Sequence, residues 1–356
     1  MVEWKKLGEV CTFNRGRTIT AKDTVGGDIP VIAGGQTPSY YHSDSNRQGE
    51  SITVAGSGAY AGFVAYWNQP IFVSDAFTVD PSDKLLHKYL FHWLKMNQQK
   101  IFATQKGAGV PHVHGRDIAN IQIPIPTIEE QSRIVGILDA FTASIANLKE
   151  QIVERRKQYE HYRDQLLDLE GKEGVEMKTL GEVGDVCMCK RIMKEQTSAN
   201  GDIPFFKIGT FGGVADAYIP RNIFEEYKSK YSYPKKGDIL ISASGTIGRT
   251  VIYNGEEAYF QDSNIVWLAN DERIITNSFL RYLYGVIEWK TEGGTIKRLY
   301  NVNIKNSIIP IPSLSEQSRI VSILDQFEAS IANLEAQLQE REKQYEHYRN
   351  QLLTFE

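Results

Sequence analysis

Four short segments of the chain combine basic and hydrogen-bonding side chains, and side chains of these types suit contacts with anionic groups. The segments are NRGR at 14–17, CKRIMK at 189–194, TQKGAGVPHVHGRD at 104–117 and TEGGTIKRLYNVN at 291–303. Lysine, arginine and hydrogen-bonding side chains hold nucleic-acid backbones, and glycine lets the main chain approach closely. An ordinary solvated surface is the alternative. The candidate nucleic-acid contacts are Arg15, Arg17, Lys106, His112, His114, Arg116, Lys190, Arg191, Lys194, Arg249, Lys297, Arg298, Asn301 and Asn303.

Aromatic and amide side chains occur together in the polar stretch SYYHSDSNRQ, residues 39–48. Groups of these types can hydrogen-bond to base edges, which is how sequence is read in a groove of DNA. Tyr40, Tyr41 and Arg47 are therefore further candidates for DNA contact. A polar loop without a ligand is the competing interpretation.

Motifs for catalysis are missing from the sequence. It contains no G-x-x-x-x-G-K-[ST] phosphate loop for ATP and no N/D-P-P-Y segment of the kind found in methyltransferases. SGAYAG at 57–62 and SGTIGR at 244–249 are glycine-rich, but they lie inside strand-turn-strand patterns and not before a helix. No Ser, His and Asp set and no pair of carboxylates stands out. The sequence predicts a binding protein with no catalytic residue and no cofactor.

Metal binding is not expected either. His112 and His114 are separated by one residue, but no third ligand accompanies them. The three cysteines, Cys11, Cys187 and Cys189, have the wrong number and spacing for a four-ligand zinc site or a disulfide framework. Cys11 and Cys187 follow similar LGEV segments, so they are interpreted as matched core positions of two related domains.

The last quarter of each half of the chain is a near-identical repeat. From Pro124 and from Pro310 onward, 33 of 47 positions are identical at an offset of 186 residues. A repeat of this length indicates one structural unit used twice. The two repeats carry 10 basic and 17 acidic residues, so of the net charge of −4 they hold about −7, and the rest of the chain is near +3. Affinity for DNA would then depend on local basic clusters.

Apolar residues in both repeats follow the 4,3 spacing of a coiled-coil seam. An arginine interrupts each seam at Arg155 and Arg341, either to fix the register or as a tolerated defect. S/T-x-x-E capping boxes at Thr127 and Ser313 predict where the helices begin. About 42 residues give a rod of roughly 63 Å. The seam residues are Ile134, Leu138, Phe141, Ile145, Leu148, Ile152, Tyr159, Tyr162, Leu166 and Leu169, and then Ile320, Leu324, Phe327, Ile331, Leu334, Leu338, Tyr345, Tyr348, Leu352 and Phe355.

The repeat divides the chain into four predicted parts. Residues 1–123 and 171–309, the latter with a linker at 171–177, are predicted globular domains of mixed, strand-rich α/β (α+β) fold. Residues 124–170 and 310–356 are the predicted coiled-coil helices. Each globular domain is expected to contain one amphipathic helix, around DKLLHKYLFHWLKM and around NSFLRYLYGVIEW. No apolar run is long enough to cross a membrane and no signal region is visible, so a cytoplasmic protein is expected.

This organisation resembles the specificity subunit of type I restriction-modification systems. The resemblance covers essentially the whole chain and rests on the order of variable domain and long helix, repeated once, and on a P-x-P…EQ-x-x-I pattern. Serine-glycine turns at Ser57 and Ser244 add to it. The pattern is carried by Pro124, Pro126, Glu130, Gln131 and Ile134, and again by Pro310, Pro312, Glu316, Gln317 and Ile320.

The resemblance implies a function in DNA recognition. Each variable domain would read one half of a bipartite, asymmetric double-stranded DNA site, and the two helices would pair antiparallel and set the gap. At 3.4 Å per base pair, a 63 Å rod spans at most about 18 base pairs. The expected partners are two methylation subunits and two restriction subunits.

Repeated surfaces on the helices are the expected docking positions for these partners, although the similarity of the repeats could instead serve only the pairing of the helices. A coiled-coil protein-interaction scaffold without DNA specificity and a stand-alone DNA enzyme are the competing functions. The candidate partner-binding residues are Glu130, Gln131, Glu160, His161 and Arg163, and Glu316, Gln317, Glu346, His347 and Arg349.

Overall fold

The computed structural model describes residues 2–294 and 297–355. The chain divides into two compact units, and each has its own core. Unit 1 comprises residues 1–151 and 334–356, and unit 2 comprises residues 152–333. Each unit therefore combines one globular part with a stretch of both long helices.

The globular part of unit 1 is built mainly from short strands. Its helices are α1 (Leu7–Val10), α2 (His87–Met96), α3 (Gln98–Phe102) and α4 (Gly115–Ile118), with a 3-10 turn at Ala21–Asp23. Its strands are β1 (Glu3–Lys6), β2 (Cys11–Arg15), β3 (Ile29–Ile32), β4 (Tyr40–His42), β5 (Glu50–Ala55), β6 (Val64–Asn68), β7 (Phe72–Val73), β8 (Ala76–Pro81) and β9 (Gln122–Ile125).

Three sheets form from these strands. An antiparallel sheet has the order β2-β8-β5-β6, a mixed sheet has the order β4-β3-β7, and β1 pairs with β9. The helix α2 covers the four-stranded sheet, with Tyr89 and Trp93 buried against Ile52 and Val79. Complete burial of side chains of this size contributes about 1.5–3 kcal/mol each.

Unit 2 repeats this plan. Its helices are α6 (Leu180–Val183), α7 (Arg221–Lys230), α8 (Asn277–Tyr284) and α9 (Asn301–Lys305), with a 3-10 turn at Lys194–Gln196. Its strands are β10 (Glu176–Thr179), β11 (Gly184–Cys187), β12 (Ile203–Phe206), β13 (Tyr218–Ile219), β14 (Ile239–Ser242), β15 (Thr250–Ile252), β16 (Tyr259–Phe260), β17 (Ile265–Asn270) and β18 (Ile308–Ile311).

The sheets of unit 2 have the orders β11-β17-β14-β15, β13-β12-β16 and β10-β18. Strand for strand, these are the orders of unit 1, so the expectation of one mixed α/β fold used twice is confirmed. The sequence interpretation missed α7, which unit 2 inserts between β13 and β14. Its signal was available: Phe224, Tyr227 and Tyr231 recur at helical spacing after Pro220.

The two long helices are α5 (Ile128–Leu167) and α10 (Leu314–Leu353), of 40 residues each. Both begin at the predicted positions, where the hydroxyls of Thr127 and Ser313 accept hydrogen bonds from the main-chain N–H of Glu130 and Glu316 at 3.3 Å. Each glutamate pairs with an arginine one turn further on, so only the first half of the capping box is present. Within the described residues, no helix is long and apolar enough to span a membrane.

The helices pack antiparallel within each unit. In unit 1, Phe141 stacks on Tyr348 with ring centroids 5.3 Å apart, and Lys149 pairs with Glu342 at 2.9 Å. In unit 2 the equivalent pair, Phe327 and Tyr162, stacks at 5.4 Å. The expected antiparallel pairing is thus confirmed inside each unit.

The arginines that interrupt the seam take part in these same contacts. The guanidinium of Arg341 lies 5.6 Å from the centre of the Phe141 ring, and that of Arg155 lies 5.9 Å from the Phe327 ring. Guanidinium groups over aromatic faces are attracted to them, by about 0.5–1 kcal/mol at exposed sites. Both arginines therefore contribute to the pairing of the helices.

The end of the predicted seam was wrong. Leu169 lies beyond the last residue of α5, and Phe355 lies beyond the last residue of α10. Both pack against the hydrophobic core of their own unit. The 4,3 spacing could not separate these positions from the seam, because burial in a globular core and burial between helices select the same apolar residues.

Candidate nucleic-acid interface

Five loop segments of unit 1 come together at the ends of its strands. We call them loop cluster 1: residues 14–17, 33–35, 56–58, 73–75 and 106–113. Main-chain hydrogen bonds of 2.9–3.0 Å tie them together, among them Arg17 to Val73, Gly56 to Asp75, Gly58 to Pro111 and Val113 to Gly56. The Ser57 hydroxyl donates to the Asp75 carboxylate. The serine-glycine turn therefore stands at the centre of the cluster.

Glycine is required where these segments touch. A Cβ atom on Gly16 would lie 2.3 Å from the carbonyl oxygen of Ser74, and one on Gly34 would lie 2.4 Å from that of Ser57. A Cβ atom does not approach a non-bonded oxygen this closely in real proteins, so a larger residue would push the segments apart. Glycine therefore lets the NRGR segment lie against residues 73–74, and it lets residue 34 lie against the serine-glycine turn.

Residues 106–113 form a small hairpin that is anchored by the carboxylate of Asp117. Lys106 and His112 exchange two main-chain hydrogen bonds, and the Lys106 ammonium and the His114 main-chain N–H both bind the Asp117 carboxylate. Burial alone would raise the pKa of Asp117, but these hydrogen bonds outweigh it and lower the pKa. His112, His114 and Arg116 are exposed around this anchored carboxylate.

The structure shows where the candidate residues of unit 1 lie. Arg15 and Arg17 are exposed at the edge of loop cluster 1, with the Arg17 guanidinium 5.3 Å from the centre of the Phe72 ring. Arg17, Lys106 and His112 are brought into one cluster by contacts that join segments far apart in sequence. These residues offer charge and N–H donors to acceptor oxygens, which is what DNA phosphates and base edges present.

Two predicted contacts of unit 1 turn inward. The guanidinium of Arg47 donates to Thr78, Asn46, Asn14 and Arg15 at 2.8–3.3 Å. The Tyr40 hydroxyl donates to the Ile19 carbonyl at 2.5 Å. The expectation that Arg47 and Tyr40 face a ligand is corrected, because their polar atoms already serve the fold. The side chain of Tyr41 is 56% exposed and stays a candidate.

Unit 2 contains the equivalent loop cluster 2, formed by residues 190–192, 207–211, 243–249, 261–264 and the described part of 292–299. Ala243 donates to the main-chain carbonyl of Asn264 at 2.7 Å, and Leu299 donates to Ala243 at 2.9 Å. These bonds match those of Gly56 and Val113 in unit 1. The Ser244 hydroxyl donates to the Asn264 side-chain oxygen at 2.8 Å, where unit 1 has Ser57 and Asp75.

Three predicted arginines lie in loop cluster 2, and each has a different partner. Arg191 pairs with Asp262 at 2.9 Å, and Arg298 donates to the Asn264 side-chain oxygen at 2.6 Å. The Arg249 guanidinium lies 5.2 Å from the centre of the Phe211 ring. Charge on Arg191 is compensated by a carboxylate, whereas Arg298 and Arg249 have no carboxylate partner in the part of the chain that the structure describes.

The remaining candidates of unit 2 lie around this cluster. Lys190 lies over the Tyr231 ring at 5.1 Å, and Lys194 and Lys297 are exposed. Asn301 and Asn303 belong to α9. Asn303 donates to Glu292 at 3.0 Å, so it ties α9 to the segment that contains Glu292 and Arg298. Residues 295 and 296 of the predicted loop lie outside the described residues.

Sequence reasoning missed the residues that orient the candidates, namely Asp75, Asn264, Asp117 and Asp262. No spacing rule marks Asp75, Asn264 and Asp262, because they meet their partners across 18, 20 and 71 residues of chain. Asp117 is different, since it accepts the N–H of His114 three residues before it. A weak signal existed: Asp75 and Asn264 each stand directly before the third strand after a serine-glycine turn, β8 and β17 respectively.

The candidate partner-binding residues on the helices divide in the same way. Gln131 and Gln317 are fully buried and fully hydrogen-bonded inside their units, so the expectation that they face a partner is corrected. Glu130 and Glu316 are half-buried and pair with Arg133 and Arg319. Glu160, His161, Glu346 and His347 are exposed at equivalent places, and Arg163 and Arg349 lie over the rings of Tyr159 and Tyr345.

The two histidines of loop cluster 1 are stacked, with ring centroids 6.3 Å apart. Within residues 2–294 and 297–355 no group of three His, Cys, Asp or Glu residues is placed to hold a metal ion.

Relatives of known class are similar to this chain over nearly its whole length. A putative type I restriction enzyme specificity subunit of Haemophilus influenzae is 44% identical over 374 residues, covering 99% of this chain and 96% of that protein. The EcoR124I/EcoR124II specificity subunit of Escherichia coli is 28% identical over 400 residues, covering 99% and 94%.

Solved structures show the same fold. The S subunit of a type I restriction-modification system from M. genitalium superposes with a TM-score of 0.66 at 18% identity, covering 100% of this chain and 97% of that one. The family model "Type I restriction modification DNA specificity domain" matches residues 1–155 and 172–343. This chain therefore belongs to the family of type I restriction-modification DNA specificity subunits.

Proposed function

We propose that this chain is the DNA-reading subunit of a type I restriction-modification complex. Its globular domains, residues 1–123 and 171–309, would each read one half of a bipartite, asymmetric double-stranded DNA site. The observation that carries the proposal is the pair of loop clusters. Their main-chain frames share the hydrogen bonds of Gly56 and Val113, which recur at Ala243 and Leu299. The side chains they present differ: His112 in the first stands where Arg298 stands in the second. One main-chain frame that presents two different sets of side chains suits the reading of two different sequences.

The helices of residues 124–170 and 310–356 would set the distance between the half-sites. At 1.5 Å per residue, 40 helical residues make a rod of about 60 Å. The distance between half-sites would then be a property of helix length and not of the loop clusters.

Partner subunits would supply the chemistry. We infer that two methylation subunits and two restriction subunits dock on this chain and that the chain itself is not catalytic. Glu160, His161 and Glu346, His347 give two equivalent exposed surfaces, which suits two copies of one partner. A further solved relative, with a TM-score of 0.61 at 21% identity, was studied for complex assembly and conformational transition of the type I system. We expect the complex to act in the cytoplasm, where its DNA substrate would be found.

Mapping of methylated bases tests this function. The chain is co-expressed with the methylation subunit encoded beside it, and modified bases are located on a plasmid of known sequence. Methylation confined to one bipartite sequence with a fixed gap is expected. If the methylation subunit binds the chain but modification is absent or scattered, the chain is a coiled-coil scaffold without DNA specificity.

A further inference from the structure

We propose that Asn264 is a positioning residue that holds Arg298 for contact with acceptor oxygens of the second DNA half-site and leaves its charge uncompensated. The inference rests on the proposed function. Its starting point is a side-chain acceptor that differs between the two frames: Asp75 in loop cluster 1 and Asn264 in loop cluster 2, each receiving the hydroxyl of the serine-glycine turn.

The geometry fixes which atom of the Asn264 amide faces Arg298. Arginine has donors only, so the atom at 2.6 Å from its Nη2 must be the carbonyl oxygen. The same oxygen accepts the Ser244 hydroxyl at 2.8 Å. Ser244 and Arg298 are also joined through their main chains as an isolated bridge. The Arg298 main chain is thus fixed beside Ser244, and its guanidinium is held at Nη2 by Asn264. Among the described residues, this is the one of its five N–H donors that has a partner.

Nearby carboxylates are turned to other partners. Asp262, two residues before Asn264, binds Arg191 at 2.9 Å. Glu292, which exchanges main-chain hydrogen bonds with Arg298, accepts the amide of Asn303 at 3.0 Å through its carboxylate. Among the described residues, the other N–H donors of the Arg298 side chain have no partner. An amide at position 264 therefore orients the guanidinium without neutralising it, whereas a carboxylate would form an ion pair.

A fixed, charged guanidinium has two kinds of acceptor on DNA, the phosphate oxygens and the edge of guanine. The first contributes to affinity and to its dependence on salt, and the second contributes to base preference. Both contacts need a guanidinium that is oriented and whose charge is not neutralised, and Asn264 allows both. Substitutions of Asn264 therefore separate the effect of orientation from the effect of charge.

The experiment uses the full chain in complex with its methylation subunit and compares Asn264→Asp with Asn264→Ala. DNA affinity is measured over a range of salt concentrations, and base preference is measured on a library randomised in the second half-site. Asn264→Asp is nearly isosteric and creates an ion pair, so a loss of affinity of about tenfold or more and a salt slope flatter by about one unit are expected. Asn264→Ala keeps the charge but frees the side chain, so the slope stays and base preference or affinity falls.

Arg298→Lys distinguishes the two acceptors. A lysine keeps the point charge without the planar fork, so a phosphate contact would leave affinity within a few-fold of wild type. A guanine contact would show as loss of preference at one base pair with an unchanged salt slope. Asn222→Asp, on the exposed face of α7, adds the same charge away from the cluster and is expected to match wild type.

Wild-type values of affinity, slope and base preference in both Asn264 variants would overturn the inference. If Asn264→Asp fails to fold, as judged by its melting temperature, Asn264→Ala still decides the question. Absence of bipartite methylation by the wild-type complex would instead remove the proposed function, so the two failures are distinguishable.

Discussion

Two buried glutamines, Gln131 and Gln317, hold the start of each long helix against its globular part. The Gln131 amide donates to the carbonyls of Lys84 and Pro126, and its oxygen accepts the Leu86 N–H at 2.9 Å. Gln317 makes the equivalent three bonds in unit 2. Their identity in the two repeats thus reflects a structural requirement inside each unit.

Gln131→Ala and Gln317→Ala are expected to destabilise their own units by similar amounts. Each leaves buried main-chain groups without partners, which costs about 1–3 kcal/mol per group. Hydrogen exchange of unit 1 and unit 2 amides measures the effect separately. Glu129→Ala, exposed on the first turn of α5, is the matched control and should change little. Protection equal to wild type in both variants would contradict the assigned role.

His92 makes the stability of unit 1 depend on pH. Its ring is buried and lies 2.9 Å from the Asp139 carboxylate. Burial lowers the pKa of His92, and Asp139 offsets only part of this effect. The neutral ring is therefore the folded form, and the stability it gives is present above the unfolded pKa of about 6.5 and declines as pH falls below it.

His92→Tyr is expected to flatten this decline, since Tyr282 occupies the equivalent place in unit 2 and donates to Asp325 at 2.5 Å. The measurement is the free energy of unfolding of unit 1 between pH 7 and pH 5. His114→Gln, at an exposed position, serves as the control. A decline as steep in His92→Tyr as in wild type would refute the assignment.

Arg116 and Lys106 are expected to differ in DNA binding although both are exposed. Lys106 is paired with Asp117, whereas Arg116 has no partner within the described residues. Arg116→Ala should flatten the salt dependence of DNA affinity by about 0.9 units, as for one lost phosphate contact. Lys106→Ala should change it less, because Asp117 already compensates the ammonium. Equal slopes for Arg116→Ala and wild type would exclude this arginine as a phosphate contact.

At the scale of elements, the two helices meet through one aromatic contact used twice. Phe141 with Tyr348 and Phe327 with Tyr162 have centroid distances that agree within about 0.1 Å. In each pair, the arginine that interrupts the seam places its guanidinium over the phenylalanine ring. Equal geometry predicts equal energy, because the contacting residue types are the same.

Double-mutant cycles test this equality. Phe141→Ala with Tyr348→Ala, and Phe327→Ala with Tyr162→Ala, should each give a coupling energy of about 0.5–1.5 kcal/mol. Local stability by hydrogen exchange is the readout for each unit. The idea of an equivalent contact fails if one cycle gives coupling and the other gives none.

At the scale of the whole molecule, helix length is the quantity that the proposed function ties to DNA. Insertion of one heptad at equivalent places, after Gln151 and after Gln337, keeps the 3.5-residue repeat of the seam. The preferred gap between half-sites should then grow by about 10 Å, or three base pairs. Selection from DNA with randomised gaps measures it. An unchanged gap would show that helix length does not set the spacing.

The sequence by itself determined the plan of this chain. The 186-residue repeat, the two long helices with their starting residues and the strand-rich mixed domains were all predicted correctly. These features are encoded locally, in 4,3 spacing, capping residues and alternating apolar runs, so they can be read without knowing which segments meet. Helix α7 carried the same kind of signal and was overlooked.

Only the tertiary structure decided which polar side chains face outward and which are used inside. Ser57 meets His112, and Ser244 meets Arg298, across more than 50 residues of chain. Contacts over such distances follow from strand order, and no spacing rule encodes them. For that reason Arg47 and Gln131 were indistinguishable in sequence from exposed residues, and Asp75 and Asn264 were not noticed at all. The burial of polar groups depends on partners that the fold supplies.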